Sequence, residues 1–222
     1  MCFSATASFT GAAAAGVAGA MAVSRTGAVR ELPLAGIPII FGVQQAIEGL
    51  LWLTFQHGWP GNYLQVLANA FVFIALAVWP WLVPFAVGLV EEDRTRRRVI
   101  ALLVPAGAAV AGYSVLTMLQ HPYAAKIVHS SICYVAANPH PYPMLVLYAV
   151  CTCAPLFLAT ERFLRLLGVV VITGAVVSAL FFYESFVSVW CFFAAAASVV
   201  IYLEFERRHA HRAEAISRAA RS

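Results

Sequence analysis

The sequence predicts an all-α membrane protein, a bundle of seven transmembrane helices with the N-terminus outside and the C-terminus in the cytoplasm. The first observation behind this prediction is composition, because 62% of the 222 residues are hydrophobic and only 11% are charged. A soluble domain carries about 25% charged residues, and the mean hydropathy here is +0.84. The second observation is that long apolar runs alternate with short basic clusters. The apolar excess must face lipid, which excludes a soluble fold.

Seven apolar runs are long enough to form spanning helices, which need about 20 largely apolar residues. They lie at residues 7–24, 33–56, 63–90, 97–119, 143–160, 163–183 and 185–206. We predict one transmembrane domain over residues 1–206 and a basic cytoplasmic tail over residues 207–222, which continues the seventh helix along the membrane surface. Pro80 and Pro84 predict a kink near the inner end of the third helix.

The basic residues give the orientation. Of the 14 lysines and arginines, all but Lys126 lie on alternate connections and in the tail, and hence on one side of the membrane. Because cytoplasmic loops are enriched in Lys and Arg, that side is predicted to be cytoplasmic. The same pattern accounts for the net charge of +4 without a nucleic-acid partner. We expect the protein in a bacterial cytoplasmic (inner) membrane, with the lipid bilayer as its partner.

Polar residues inside the predicted helices are concentrated at one depth, in the outer part of the bundle. Gln44, Glu48 and Trp52 follow an i, i+4, i+8 spacing, which places them on one face of the second helix. Buried polar groups are costly in lipid, so they mark packing contacts or function. Taken singly, each also fits a packing role between helices. We predict an outward-facing polar pocket with Glu48 and Glu184 as its acids. Its other predicted lining residues are Gln44, Gln45, Trp52, Asn69, Tyr113, Thr117, Ser188 and Cys191.

The connection between the fourth and fifth helices is long, external and rich in histidine. His129 and Cys133 are four residues apart, so a helical turn would bring both onto one face. Imidazole and thiolate are ligands for zinc or another transition metal. The candidate metal ligands are His57, His121, His129, His140, Cys133 and Cys2. The alternative is a loop that folds over the bundle and places its His and Tyr side chains at the interface.

The external cysteines allow a different arrangement. Cys2 and Cys133 are both predicted on the outer side, where disulfides persist. A Cys2–Cys133 bridge would tie the N-terminus to the long connection.

Four segments resemble a known family. They are the opening Met-Cys-Phe-Ser-Ala-Thr-Ala-Ser-Phe, the run from Gln44 to Gly49 with Trp52, His129-Ser-Ser-Ile-Cys-Tyr, and Glu184-Ser-Phe-Val-Ser-Val-Trp-Cys-Phe-Phe. In these segments the sequence resembles a bacterial family of multi-pass, seven-helix membrane proteins of unknown function. The resemblance implies the fold and no activity.

Several functions fit these observations. The first is a metal-dependent membrane hydrolase that acts on a lipid or small molecule from the outer side, with Glu48 or Glu184 as general acid or base to a metal-bound water. The second is a ligand-binding sensor whose tail contacts a cytoplasmic partner. The third is an accessory subunit that binds haem through His57 and His121.

Two other functions fit less well. A transporter or proton channel needs polar residues across the whole membrane, and the predicted inner half is mostly apolar. Microbial rhodopsins hold retinal on a lysine of the seventh helix, and the only lysine here, Lys126, lies in a connection. Retinal is therefore not expected.

Overall fold

The computed structural model describes residues 4–128, 131–136, 141–181, 186, 188–190, 193, 197–219 and 221. Most of this part of the chain is helical. The helices are α1 (Ala5–Ser24), α2 (Leu32–His57), α3 (Gly61–Phe73), α4 (Trp79–Val90), α5 (Arg94–Gln120), α6 (Tyr142–Leu158), α7 (Arg162–Phe181) and α8 (Ser198–Ala219). A 3-10 turn, Val29–Glu31, precedes α2, and a π-helical turn, Ile74–Val78, joins α3 to α4. Two strands, β1 (Ala124–Val128) and β2 (Ser131–Val135), lie between α5 and α6.

Five of the described helical segments are long and apolar enough to cross a membrane. They are Ala5–Ser24, Val29–His57, Gly61–Val90, Arg94–Gln120 and Arg162–Phe181, and α6 is a shorter apolar helix of 17 residues. Leu102, Leu119 and Leu180 each expose more than two thirds of their surface, as expected for helices that face lipid. These features indicate a membrane protein.

The segment between α5 and α6 contains two strands, where the sequence analysis left a helical turn and a loop over the bundle open. Residues of β1 and β2 pair antiparallel, with Ala124 opposite Val135 and Lys126 opposite Cys133. The prediction of a fold made only of helices did not include this hairpin. The physical reason is the local density of β-branched and aromatic residues, which favour strands.

The α4–α5 contact depends on a proline and a glycine. Pro84 lies inside α4 and has no N–H, so the carbonyl of Pro80 lacks its usual i+4 donor. Gly107 of α5 lies directly against it, and a Cβ at Gly107 would overlap the Pro80 carbonyl and come within 2.8 Å of the Trp81 nitrogen. The two helices can approach this closely only because residue 107 has no side chain.

The two ends of the bundle differ in chemistry. The end that contains β1 and β2 is called the hairpin end, and the end that contains the start of α5, the start of α7 and α8 is called the arginine end. At the arginine end, Arg208 of α8 contacts Glu204 at 2.8 Å, Glu161 at 3.1 Å and Glu31 at 3.6 Å. The first part of the basic tail is therefore paired to neighbouring elements.

A buried carboxylate joins two connections at the arginine end. Glu91 ends α4 and is 2% exposed. It accepts hydrogen bonds from the backbone N–H and the hydroxyl of Thr160, both at 2.7 Å, and from the backbone N–H of Asp93 at 2.9 Å. Burial opposes ionisation, but these donors hold the pKa of Glu91 below its ordinary value of 4.5. The ionised carboxylate thus links the α4–α5 and α6–α7 connections.

Candidate functional site

A stripe of buried polar side chains runs along α2. Gln44, Gln45 and Glu48 have no exposed surface, and Trp52 is 6% exposed. The i, i+4, i+8 spacing of Gln44, Glu48 and Trp52 explains why one face of the helix holds them together. These four residues, all predicted from the sequence, are called the polar stripe.

Helix α1 closes one side of the polar stripe, because glycines let it approach α2. A Cβ at Gly49 would lie 2.8 Å from the ring of Phe9, and one at Gly42 would lie 3.0 Å from the carbonyl oxygen of Ala12. Small residues at such contacts are typical of membrane helix pairs. Ser8 precedes Phe9 on α1, so this register puts it near the level of Gly49, and it is 1% exposed.

Glu48 is joined to a distant part of the chain. The hydroxyl of Ser188 donates a hydrogen bond to one carboxylate oxygen of Glu48, and Ser188 has no exposed surface. Residues 188–190 are helical. The structure therefore brings together Glu48 and Ser188, two of the residues predicted from the sequence.

Three buried side chains of α1 and α2 have polar atoms without a hydrogen-bond partner among the described residues. They are both polar atoms of the Gln45 amide, the indole N–H of Trp52 and the hydroxyl of Ser8. Leaving a buried donor or acceptor unsatisfied costs about 1–3 kcal/mol. Native proteins leave few such groups without an ion, a water or a ligand to satisfy them. The three side chains therefore form a set of buried donors and acceptors.

Other hydroxyls at a similar depth bond to their own helices. Thr117 donates to the carbonyl of Tyr113 at 2.9 Å, and Ser178 donates to the carbonyl of Gly174 at 2.7 Å. Tyr113 itself is half-buried. The hydroxyl of Thr117, although predicted as pocket-lining, is thus satisfied within α5.

Asn69 anchors the hairpin rather than offering its amide to a pocket. Its Nδ2 donates to the carbonyl of Gln65 at 2.7 Å and to that of Tyr123 at 3.1 Å. The Tyr123 N–H in turn donates to Asn69 Oδ1 at 3.0 Å. Burial, reinforced by the neighbouring Tyr113, raises the pKa of the Tyr123 phenol, so it stays neutral at ordinary pH.

The hairpin covers the end of the polar stripe. Ala125 of β1 and Ile132 of β2 pack in one apolar cluster with Leu51 and Trp52 of α2. Tyr134 of β2 stacks on Phe71 with ring centroids 4.5 Å apart. The hairpin therefore lies over Trp52 as a cap.

The predicted metal ligands that fall on described residues do not meet. His57 is exposed in the last turn of α2, with Nδ1 3.0 Å from the carbonyl of Leu53. His121 is exposed just after α5, and Cys133 lies in β2. Within the described ranges, no three His, Cys, Asp or Glu side chains lie close enough to hold a metal ion.

Five of the predicted site residues lie outside the described residues. They are Cys2, His129, His140, Glu184 and Cys191. The predicted Cys2–Cys133 disulfide and the role of Glu184 as second acid stay predictions.

Comparison with known protein families places the chain in a family whose function is unknown. The sequence profile of DUF6629, described as a family of unknown function, matches residues 1–216. The chain belongs to this family. The DUF6629 match covers all of the polar stripe, the hairpin and Ser188. No curated protein and no solved structure matches the chain.

Ser8 was not among the residues predicted from the sequence. The hydroxyl of Ser8 is buried beside α2, and it belongs to the opening segment that carried the family resemblance. A polar residue between the alanines and phenylalanine of a spanning helix was the available signal. The sequence does not show how α1 packs on α2, so it could not show which residues of α2 lie beside Ser8.

Proposed function

We propose that this chain is a multi-pass membrane protein that binds a small polar ligand at the polar stripe of α2. One observation carries the proposal: the buried polar atoms of Gln45, Trp52 and Ser8 have no hydrogen-bond partner within the described part of the chain. A ligand that satisfies them recovers about 1–3 kcal/mol for each group. The hairpin, packed over Trp52, acts as the lid of this site.

The side chains define the chemistry of the ligand. Gln45 offers an acceptor and a donor, Trp52 offers only a donor, and Ser8 offers both. Glu48 is the carboxyl of the polar stripe, and its oxygens are acceptors that favour a ligand with a donor group. The ligand is therefore a small molecule that carries an amine or hydroxyl together with a carbonyl-type acceptor.

We also propose that the protein crosses a bacterial cytoplasmic membrane with seven transmembrane helices. The polar stripe and the hairpin then lie on the outer side, and the arginine end lies in the cytoplasm by the positive-inside rule. Lys126 is the only lysine of the chain and is exposed on β1. A lysine-specific protease added to spheroplasts should cut the protein once at Lys126. Cleavage only after the membrane is permeabilised would reverse the orientation.

The binding proposal is tested by thermal unfolding of detergent-purified protein with a panel of small amines, amino alcohols and amides. At least one compound should raise the unfolding temperature of the wild type, because a ligand at a hundred times its Kd stabilises by about 2.7 kcal/mol. The same compound should have no effect on Gln45→Leu. Gln65→Ala, which changes an exposed side chain of α3 outside the stripe and the hairpin, should still respond.

Two results would contradict the binding proposal. The first is a wild type that responds to no compound in the panel and releases no small molecule on denaturation. The second is an equal response of wild type and Gln45→Leu, which would place binding elsewhere.

A hydrolase is the second candidate, and one observation favours it. Glu48 accepts a hydrogen bond from the hydroxyl of Ser188, so a candidate general base lies beside a hydroxyl group. The metal that the sequence analysis expects would depend on Cys2, His129 and His140, which lie outside the described residues. Stoichiometric zinc in purified protein would favour this candidate. A visible absorption band would instead favour the haem-binding accessory subunit.

A further inference from the structure

An apolar crevice between α6 and α7 opens to the outside of the helix bundle. Its volume is about 970 Å³, and along α6 it runs from Leu145 to Phe157. This length of α-helix extends about 18 Å. One leaflet provides half of the hydrocarbon thickness of a bilayer, which is roughly 30 Å in all. The crevice is therefore as long as the hydrocarbon part of one leaflet is deep.

Small side chains create the crevice. Ala149 and Cys153 lie one turn apart on the same face of α6, and Ala175 lies on the α7 wall. Nearer the arginine end the two helices meet, because a Cβ at Gly168 of α7 would lie 3.0 Å from the ring of Phe157. The crevice ends at this contact.

The aromatic residues of the crevice wall have their polar groups bonded to the backbone. Tyr148 donates a hydrogen bond to the carbonyl of Ala75 at 2.6 Å, and the Trp190 indole donates to that of Val171 at 3.2 Å. The wall therefore offers aliphatic and ring surface to a guest. A space lined by apolar side chains takes apolar guests.

Two arginines lie where the crevice ends. Arg165 precedes the crevice residue Ile172 by seven positions, which places both on one face of α7, with Arg165 two turns nearer the arginine end. Arg96 of α5 donates a hydrogen bond to the carbonyl of Leu158, at 2.9 Å, directly after Phe157. Both arginine side chains are exposed.

These two arginines differ from others at the same end of the bundle. Arg208 contacts three glutamates, and Arg212 contacts Glu31 at 3.5 Å. Among the residues that the structure describes, no carboxylate forms an ion pair with Arg96 or Arg165. Two positive charges without an acidic partner in that part of the chain thus lie at the end of an apolar crevice.

We propose that the crevice binds an anionic phospholipid, with an acyl chain between α6 and α7 and the phosphate group at Arg96 and Arg165. The chain then lies against apolar side chains, and the phosphate stays at the exposed end. A guanidinium can donate two parallel hydrogen bonds to a phosphate, and basic pockets between spanning helices bind anionic head groups. This inference goes beyond the proposed function and does not involve the polar stripe.

Charge favours a phospholipid over a helix of a second copy of the chain. All basic residues except Lys126 lie on alternate connections and in the tail. A second copy with the same orientation in the membrane would therefore bring its own arginines to the level of Arg96 and Arg165, and like charges repel. A phosphate group brings the opposite charge.

The test is a lipid titration of detergent-purified protein, with native mass spectrometry as the readout. Phosphatidylglycerol and phosphatidylcholine with identical acyl chains are compared, so that only the head group differs. Phosphatidylglycerol should bind with the lower Kd and at one molecule per chain. Equal Kd values for the two lipids would overturn the proposal.

A double variant tests the head-group part of the site. Each arginine near a membrane surface contributes about fivefold to the binding of anionic lipid, so Arg96→Gln with Arg165→Gln should raise the Kd for phosphatidylglycerol by about 25-fold. If the double variant does not fold, Arg165→Gln alone should raise it by about fivefold.

The matched control for charge is Arg94→Gln with Arg98→Gln. Both arginines are exposed, and each is two residues from Arg96, which places them on the opposite side of α5. This variant loses the same charge and should keep the wild-type Kd. An equal loss of affinity in the two double variants would overturn the proposal, because phosphatidylglycerol would then be attracted by the basic surface as a whole.

A substitution that fills the crevice tests the acyl-chain part of the site. Ala149 is exposed in the crevice, and Ala149→Phe should abolish the binding of one phosphatidylglycerol per chain. Ala109→Phe is the matched control, because Ala109 is exposed on α5 outside the crevice, and it should bind as the wild type does. Unchanged binding in a folded Ala149→Phe protein would overturn the proposal. So would wild-type dimers that Ala149→Phe converts to monomers, because a second copy would then occupy the crevice.

Discussion

The hydroxyl of Ser188 donates a hydrogen bond to the carboxylate of Glu48, and 140 positions of the sequence separate the two residues. Both side chains are fully buried. The hydroxyls of Thr54, Thr117 and Ser178, by contrast, bond to carbonyls of their own helices. The Ser188–Glu48 contact is therefore a connection between distant segments, and the position of residues 188–190 depends on the acid of the polar stripe.

We expect Ser188→Ala to lower the stability of the protein. The change removes a donor from a buried carboxylate, which costs about 1–3 kcal/mol. The measurement is the unfolding temperature in detergent. The matched control is Ser198→Ala, because Ser198 is equally buried and its hydroxyl has no partner among the described residues. If the two substitutions lowered the unfolding temperature equally, the Ser188–Glu48 hydrogen bond would not be a stabilising contact.

Asn69→Ala should loosen the hairpin. The change removes two hydrogen bonds between Asn69 and the backbone of Tyr123, each with a net contribution of about 0.5–1.5 kcal/mol. The readout is cleavage by a lysine-specific protease, because Lys126 on β1 is the only lysine in the chain. We expect faster cleavage at Lys126 than in the wild type.

The control for the hairpin prediction is Gln65→Ala. Gln65 is exposed and gives Asn69 only its backbone carbonyl, which the substitution keeps. Its cleavage rate should match that of the wild type. An unchanged rate in Asn69→Ala would mean that apolar packing around Trp52 and the Phe71–Tyr134 stack hold the hairpin without Asn69.

The sequence predicted much of the helical framework, because hydrophobic length is a local property. The predicted runs 33–56 and 97–119 lie within Val29–His57 and Arg94–Gln120. The spacing of Gln44, Glu48 and Trp52 also predicted which residues share one face of α2. The hairpin was not predicted, because the strand preference of residues 124–135 shows only when the two short segments pair with each other.

The contacts between elements could not be read from the sequence. Ser188 was identified by its position along a helix, but its bond to Glu48 depends on how two distant segments pack. The register that brings Ser8 to the level of Gly49 depends on the ring of Phe9 against that glycine. Such contacts are tertiary. A single sequence can therefore indicate which residues are functional candidates, but not which residues contact each other.

Gly107→Ala should disrupt the α4–α5 contact. The added methyl group would overlap the carbonyl of Pro80, and backbone atoms cannot move aside as a flexible side chain can. Overpacking of this kind costs about 1–3 kcal/mol. We expect a lower unfolding temperature and a smaller yield of monodisperse protein.

Gly112→Ala is the control on the same helix. No atom lies within 4 Å of a Cβ at Gly112, and Ala is favoured over Gly in a helix interior by roughly 1 kcal/mol. Gly112→Ala should therefore be neutral or stabilising. A Gly107→Ala protein as stable as Gly112→Ala would contradict the close approach of α5 to Pro80.

Glu91 should make stability depend on pH in the acid range. Hydrogen bonds from Thr160 and Asp93 hold the pKa of Glu91 below its ordinary value of 4.5, against the opposing effect of burial. A carboxyl whose pKa is lowered by folding contributes stability above the unfolded pKa and loses it as the pH falls through the folded pKa. The unfolding temperature of the wild type should therefore fall as the pH drops below 4.5.

Glu91→Gln should be less stable at neutral pH, because the amide has one acceptor oxygen where the carboxylate has two, and its profile below 4.5 should be flatter. Glu92→Gln is the matched control, because the Glu92 side chain is 79% exposed and its contact with Arg30 is long, at 3.6 Å. An exposed ion pair contributes little, so Glu92→Gln should follow the wild-type profile. If Glu91→Gln and Glu92→Gln gave the same dependence of unfolding temperature on pH, the acid dependence would arise from other carboxylates. The hydrogen bonds between Glu91 and Thr160 would then hold the two connections together without a contribution from the charge of Glu91.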